Sequence, residues 1–283
     1  MRLAIFSKAD IIGAYNLNTL LPEIQELASE ITIFLSDKVF PNERGFQPVD
    51  TLTYCERDYP LTQLFPYLEH QSNRNSALLT FNELSAVYNA NIVHMGESIT
   101  SSCKEAIKEF APDIIISTRH DFILPDDVLE SAKFGCVNTH PGKLPQFRGL
   151  CTPFWAMLEH NEYAYCSVHL MTTKVDCGKI LALTPWRLDY SRSLLWNTIQ
   201  IYQKGISEMA SILCNNPQNF AAIPGTSYRE DDARYFGAPS EKEFTNFSEA
   251  GHIVISEEEY QKIVQPFYNR FSPPIPALQK AAV

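Results

Sequence analysis

The feature that most constrains this chain is a series of short, uninterrupted apolar runs separated by stretches of helical character. Leu3-Ala4-Ile5-Phe6, Ile31 to Leu35, and Ile114-Ile115-Ile116 show no polar alternation. A strand that reads as continuously apolar is buried on both faces, which is the signature of a parallel sheet covered on two sides. Arg2 to Phe6, Ile31 to Leu35, Ile92 to His94, Asp113 to Ser117 and Gly135 to Asn138 are therefore expected as strands. Helical spacing appears between them: Asn18 to Leu27 with Leu20, Leu21, Ile24 and Leu27 on one face, then Phe81 to Tyr88, Ser102 to Phe110, and a short helix after Pro125. Strand–helix alternation implies an α/β fold, a Rossmann-like mostly parallel sheet with helices on both faces. In such sheets ligands bind beyond the carboxyl ends of the strands.

The second half reads differently. Tyr165 to Met171 and Ile180 to Leu183 are expected strands, and Ser193 to Leu213 a long helix. After Cys214 the chain turns polar and ends in a segment with Pro273, Pro274 and Pro276. The expected organisation is a catalytic domain over 1–214 and a small C-terminal appendage over 215–283. Residues 40–80, with Pro41, Pro48, Pro60 and Pro66, give no clear pattern.

Composition excludes several classes. The 283 residues are 45% hydrophobic and 20% charged, an ordinary globular balance. The formal net charge is -10, and no run of Lys or Arg occurs, so a nucleic-acid partner is not expected. Seven cysteines without a C-x-x-C pair suggest neither a disulfide framework nor a zinc site, and free thiols point to the cytoplasm. The opening Met1 to Phe6 is too short for a signal-peptide core, and no membrane span is expected. Neither a dinucleotide fingerprint nor a phosphate-binding P-loop follows the first strand.

Chemistry concentrates in two segments. Asn138-Thr139-His140-Pro141-Gly142-Lys143-Leu144-Pro145-Gln146-Phe147-Arg148-Gly149 follows a strand. Asn138 and His140 are two apart, so an extended backbone puts both on one face, where both can address one carbonyl oxygen. Val168 to Gly178 runs from a strand into a loop carrying Asp176 before Cys177-Gly178. An Asp delivered to His140 from that loop orients the ring and stabilises its charged form. Singly, each element also reads as ordinary turn chemistry; together, in this order, they do not.

The stretch from about Asp113 to Ile180 resembles the folate-dependent formyltransferase family. That family carries an N-x-H-P-[SG]-x-L-P-x-[FY]-R-G loop, matched from Asn138 to Gly149, a run matched from Val168 to Gly178, and an Ile-Leu-Pro matched at Ile123-Leu124-Pro125. The resemblance implies transfer of a formyl group from N10-formyltetrahydrofolate to an amine, with Asn138, His140 and Asp176 as the catalytic residues and no metal. It implies that Phe122, Leu124, Thr172 and Val175 border the folate. Arg119-His120-Asp121 departs from the family pattern, reflecting either a particular acceptor or a solvated loop. A thiol mechanism through Cys177 lacks a second His to activate the sulfur.

The family formylates methionyl-tRNA, glycinamide ribonucleotide or nucleotide-linked amino sugars. Residues 215–283 hold six basic against nine acidic residues, a poor surface for tRNA. Ile11-Ile12-Gly13-Ala14 is a weak substitute for a Gly-rich phosphate loop. A small-molecule amine, first a nucleotide-linked amino sugar, is the expected acceptor. Tyr228, Tyr235, Phe236, Phe244 and Phe247 pack a partner subunit in a homodimer, stack a base, or form a core of their own. A non-catalytic folate-binding or regulatory protein on the same fold, and a formylfolate hydrolase, are the alternatives of different kind.

Overall fold

In the computed structural model, residues 1–71 and 75–268 are described, and the proline-rich tail lies outside them. Among the described residues nine strands form in chain order: β1 (Arg2–Lys8), β2 (Glu30–Ser36), β3 (Ala90–Gly96), β4 (Ile114–Thr118), β5 (Cys136–His140), β6 (Arg148–Gly149), β7 (Tyr163–Leu170), β8 (Ile180–Arg187) and β9 (Tyr235–Phe236). Seven make one sheet in the order β3-β2-β1-β4-β5-β7-β8, and β6 pairs with β9 apart from it. The first five are mutually parallel, while β7 and β8 add antiparallel. The α/β Rossmann-like fold expected from the apolar runs is the fold observed.

The runs lack alternation because both faces are covered. Leu3, Ile5, Ile114 and Ile116 point into one core, with the helices Ile11–Ile24 and Leu194–Asn215. Ala4, Phe6 and Ile115 point into the other, against Ile107 and Val128 of the helices Ser101–Phe110 and Asp126–Leu129. A third cluster joins Phe154 and Met157 of the helix Thr152–Leu158 to Phe244 and Phe247 of the helix Glu241–Glu249.

Two segments differ from expectation. The first helix begins at Ile11, not Asn18, and ends at Ile24. Asp10 caps it, its carboxylate accepting from the Gly13 N–H at 2.7 Å. Residues 11–17 are all buried, so they show no amphipathic stripe to betray the helical start. Residues 47–69, unplaced by pattern, are helical throughout: Gln47–Thr53, then wide turns over Tyr54–Asp58 and Pro60–Leu64, then Phe65–Glu69. In the wide turns the Tyr59 and Phe65 N–H groups reach back five residues, to the Tyr54 and Pro60 carbonyls. Such turns let the chain pass prolines that read as helix breakers in sequence.

The segment after 214 is laced into the body. Tyr260, Ile263, Val264 and Phe267 lie in the same core as the first helix. Tyr260 is 0% exposed and donates its hydroxyl to the Cys55 carbonyl at 2.7 Å. The Tyr15 hydroxyl donates to the Ile263 carbonyl at 2.5 Å, and the Leu78 N–H to the Pro266 carbonyl at 2.9 Å. Phe236, Phe244 and Phe247 are buried within the chain itself, whereas Tyr235 is 56% exposed. Removing the Tyr260 hydroxyl leaves a buried carbonyl unsatisfied, which costs about 1–3 kcal/mol. Tyr260→Phe is accordingly expected to lower the denaturant midpoint by that amount of unfolding free energy, with an unchanged slope, in equilibrium urea unfolding.

Candidate active site

The carboxyl ends of β1, β4 and β5 finish at one edge of the sheet, at Lys8, Thr118 and His140. A polar chain ties these ends together. The Thr139 hydroxyl donates to Thr118 Oγ1 at 2.8 Å, and Asn16 Nδ2 donates to the same oxygen at 2.9 Å. Beyond this edge lies a cavity of about 450 Å³, a size suited to a small organic ligand. All seven residues singled out from sequence line it: Asn138, His140, Asp176, Phe122, Leu124, Thr172 and Val175.

Strand pairing places the first of them. Asn138 pairs with Ser117 in β4 and with His169 in β7. Its Nδ2 lies 3.1 Å from His169 Nε2. His169 Nδ1 sits 2.9 Å from the Leu170 carbonyl, which can only accept, so the ring proton is on Nδ1 and Nε2 accepts from Asn138. Burial pushes the His169 pKa down, against the pull of the Asp176 carboxylate, and favours this neutral form. His169 thus fixes the Asn138 amide with one N–H spent and one remaining.

His140 is oriented by the following loop. Its Nε2 is 2.6 Å from the Phe147 carbonyl and donates to it. A Cβ on Gly142 would stand 2.4 Å from that carbonyl oxygen and 2.5 Å from Nε2, so the glycine leaves room for the bond. The other nitrogen, Nδ1, faces Asp176 Oδ2 at 3.5 Å.

Asp176 is set by two chain segments. Its backbone is left-handed, φ 51°, a conformation Asp tolerates better than most residues. Its Oδ2 accepts from the Gly149 N–H at 3.0 Å, and its Oδ1 lies 3.7 Å from His169 Nε2. Gly149 belongs to β6, held in register by β9: the Arg148 N–H donates to the Arg234 carbonyl and the Leu150 N–H to the Phe236 carbonyl. With φ 93° and the Phe236 carbonyl 2.2 Å from where a Cβ would stand, position 149 admits only glycine. Arg148 clamps the loop through the Val175 carbonyl, at 3.1 Å from Nε and 2.6 Å from Nη2. The Tyr228 hydroxyl donates to the Asp176 carbonyl.

A charged wall completes the cavity. Lys8 lies 2.8 Å from Glu43 and 3.2 Å from Asp121, which also accepts from the Ser36 hydroxyl at 2.7 Å. Arg119 reaches Asp10 at 3.0 Å and Glu56 at 2.8 Å. Burial works against the charge on Lys8, yet the carboxylates of Asp121, Glu43 and Asp10 hold its pKa above the ordinary value. Burial raises Glu56 to about 7, although Arg119 opposes the shift. Burial also drives His120, packed between Phe6 and Phe122, down to about 4. Arg119-His120-Asp121 is therefore not a solvated loop; its charges are paired within the wall.

Sequence reasoning missed His169, Arg148, Gly149 and the wall as site components. The first three lie inside the Asn138–Gly149 and Val168–Gly178 segments, but the meeting of His169 with Asn138 is set by the β5–β7 register, which no local pattern gives. The wall joins residues as far apart as 10 and 119, a contact that no local pattern reveals.

Residues 70–193, which include Asn138, His140 and Asp176, match the family model described as formyl transferase. A methionyl-tRNA formyltransferase of Ehrlichia ruminantium (strain Welgevonden) is 29% identical over 154 residues, 54% of this chain and 46% of the relative. The chain thus spans between 24% and 46% of the length of the curated relatives it matches. Among solved structures, WlaRD, a sugar 3N-formyl transferase, superposes with a TM-score of 0.52 at 15% identity, over 94% of this chain and 79% of the other. The phosphoribosylglycinamide formyltransferase of Streptococcus pneumoniae TIGR4 gives 0.51 at 13% identity, over 76% of this chain and 97% of the other. These structures share the fold. The matched segment carries the Asn-His loop and the Asp176 loop in one cavity, and over residues 70–193 the chain is similar to the formyl transferase family.

Proposed function

We propose that this protein transfers the formyl group of N10-formyltetrahydrofolate to the primary amine of a small molecule, a nucleotide-linked amino sugar in the first place. The observation that carries the reading is the convergence of Asn138, His140 and Asp176 in one cavity large enough for a small-molecule reaction. Phe122, Leu124, Thr172 and Val175 line the same cavity, a mixed apolar and backbone-rich border that suits a flat pterin. WlaRD, which superposes on 94% of this chain including its C-terminal segment, was solved with dTDP and 5-N-formyl-THF, and this supports both the donor and the acceptor class. Exposed Tyr235 lines the cavity and offers a ring face on which a base can stack. The acid excess after residue 214 speaks against a tRNA acceptor.

The chemistry follows from the hydrogen bonds. The neutral amine nitrogen attacks the formyl carbon, and negative charge gathers on the formyl oxygen. The Asn138 N–H left over from His169 is the amide donor for that oxygen. His140 Nε2 is spent on Phe147, so the only ring proton it can offer is on Nδ1, the nitrogen facing Asp176. That refines the expectation that Asn138 and His140 both address the formyl oxygen. The His140–Asp176 pair takes the proton the amine must lose, the C–N10 bond breaks, and a proton arrives on N10 of the departing tetrahydrofolate.

Turnover read by tetrahydrofolate absorbance, against amino-deoxy sugar nucleotides and other amines, tests the reading. Asn138→Ala and His140→Ala are each expected to lower kcat by about 10²–10³-fold while 5-formyltetrahydrofolate still binds. Absence of turnover with every amine, with folate binding retained, would favour a folate-binding role instead. His169 gives a second check, through stability. Its folded pKa lies below its ordinary 6.5, so in that window the unfolded chain holds a proton that the folded chain does not. The contribution to stability is full above pH 6.5 and falls as the pH drops below it. In urea unfolding between pH 7.5 and 5.5, about the span around a histidine's range, His169→Gln is expected to lose less stability than the wild type.

A further inference from the structure

The turn between β1 and the first helix is where a sheet of this kind presents free N–H groups to an anion. Here the chain supplies the anion itself. The Asp10 carboxylate, 1% exposed, takes the Gly13 N–H at 2.7 Å with Oδ1 and Arg119 with Oδ2. Both cations of the adjacent wall are committed in the same way: Arg119 to Asp10 and Glu56, Lys8 to Glu43 and Asp121. Four acidic side chains therefore face two cations; with Glu56 raised to about 7 and so partly protonated near neutral pH, Asp10, Glu43 and Asp121 still outnumber Lys8 and Arg119. Glu43 and Glu56 are the acids with side-chain surface still open, at 25% and 17%. Lys8, Glu43, Glu56 and Arg119 border the cavity that also holds Asn138, His140 and Asp176. A phosphate reaching this wall would find the helix terminus filled, both cations paired and like charge around it. In a partly desolvated cleft such repulsion is screened far less than at a surface. An ammonium or hydroxyl group would meet acceptors.

We propose that this wall selects the acceptor by charge: the end of the amine substrate lying against it is phosphate-free and presents hydroxyl groups, as a sugar ring does, while the amine nitrogen faces Asp176. Any phosphate the acceptor carries is held away from β1 and β4. The inference rests on the formyl-transfer reading of the cavity and narrows its substrate class. Asp10, Glu43 and Glu56 are specificity-determining residues in this account, acting on which amine binds and not on the transfer step.

The test is calorimetric binding to the full chain with 5-formyltetrahydrofolate present, using glucosamine and glucosamine 6-phosphate as probes that differ by one phosphate. Glucosamine is expected to bind at least ~10-fold tighter, a factor that like-charge juxtaposition readily supplies. Asp10→Asn, which keeps the helix cap, and Glu56→Gln are each expected to narrow that preference, and Glu43→Gln to weaken glucosamine alone. Equal or tighter binding of the phosphate ester overturns the proposal. So does an unchanged preference in both charge-removing variants, or binding of neither probe while the folate binds. Failure of 5-formyltetrahydrofolate itself to bind refutes the formyl-transfer reading, and the wall's assignment as an acceptor filter falls with it.

Discussion

The carboxylate of Asp176 is the contact on which the site depends. It lies between two histidines, 3.5 Å from His140 and 3.7 Å from His169, and is held there by the Gly149 amide. Each neighbour is fixed in turn by something outside the site. Gly149 takes its conformation from pairing with β9, His140 its tilt from the Phe147 carbonyl, and His169 its tautomer from the Leu170 carbonyl. Side chains anchored to backbone carbonyls and strand register in this way keep a fixed geometry toward the cavity.

The fold delivers this arrangement economically. Parallel strands β4 and β5 end together, and antiparallel β7 returns beside β5, so that Asn138 and His169 face each other in register. A loop leaving β7 then carries Asp176 back over the same edge. The segment after residue 214 closes the assembly from outside: β9 buttresses Gly149, Tyr228 holds the Asp176 carbonyl, and Tyr260 and Phe267 sit in the main core. What reads in sequence as an appendage is, in packing terms, part of the scaffold that sets the Asp176 loop.

The parts legible in sequence were those carried by local pattern. Ile114-Ile115-Ile116 and Leu3 to Phe6 announced strands covered on both faces, and the Asn138–Gly149 and Val168–Gly178 segments announced the chemistry. The parts that stayed hidden have physical reasons. A helix buried all round, such as residues 11–17, has no apolar stripe to find. Prolines at 48, 60 and 66 masked a helical rod that takes Pro48 in its first turn and passes Pro60 and Pro66 with wide turns. The charged wall depends on Asp10, Glu56 and Arg119 meeting across the sheet edge, and pairing at that sequence distance exists only once the fold is known.

On the proposed reading, the Asp176 carboxylate, acting with His140, carries the proton traffic of formyl transfer. Single-turnover conversion of bound N10-formyltetrahydrofolate to tetrahydrofolate, wild type against Asp176→Asn, tests it most directly. A rate loss of about 10²-fold or more is expected, with the folate bound as tightly as before, since the amide keeps the Gly149 contact but neither charges the ring nor accepts its proton. An Asp176→Asn chain that transfers the formyl group at the wild-type rate would contradict it.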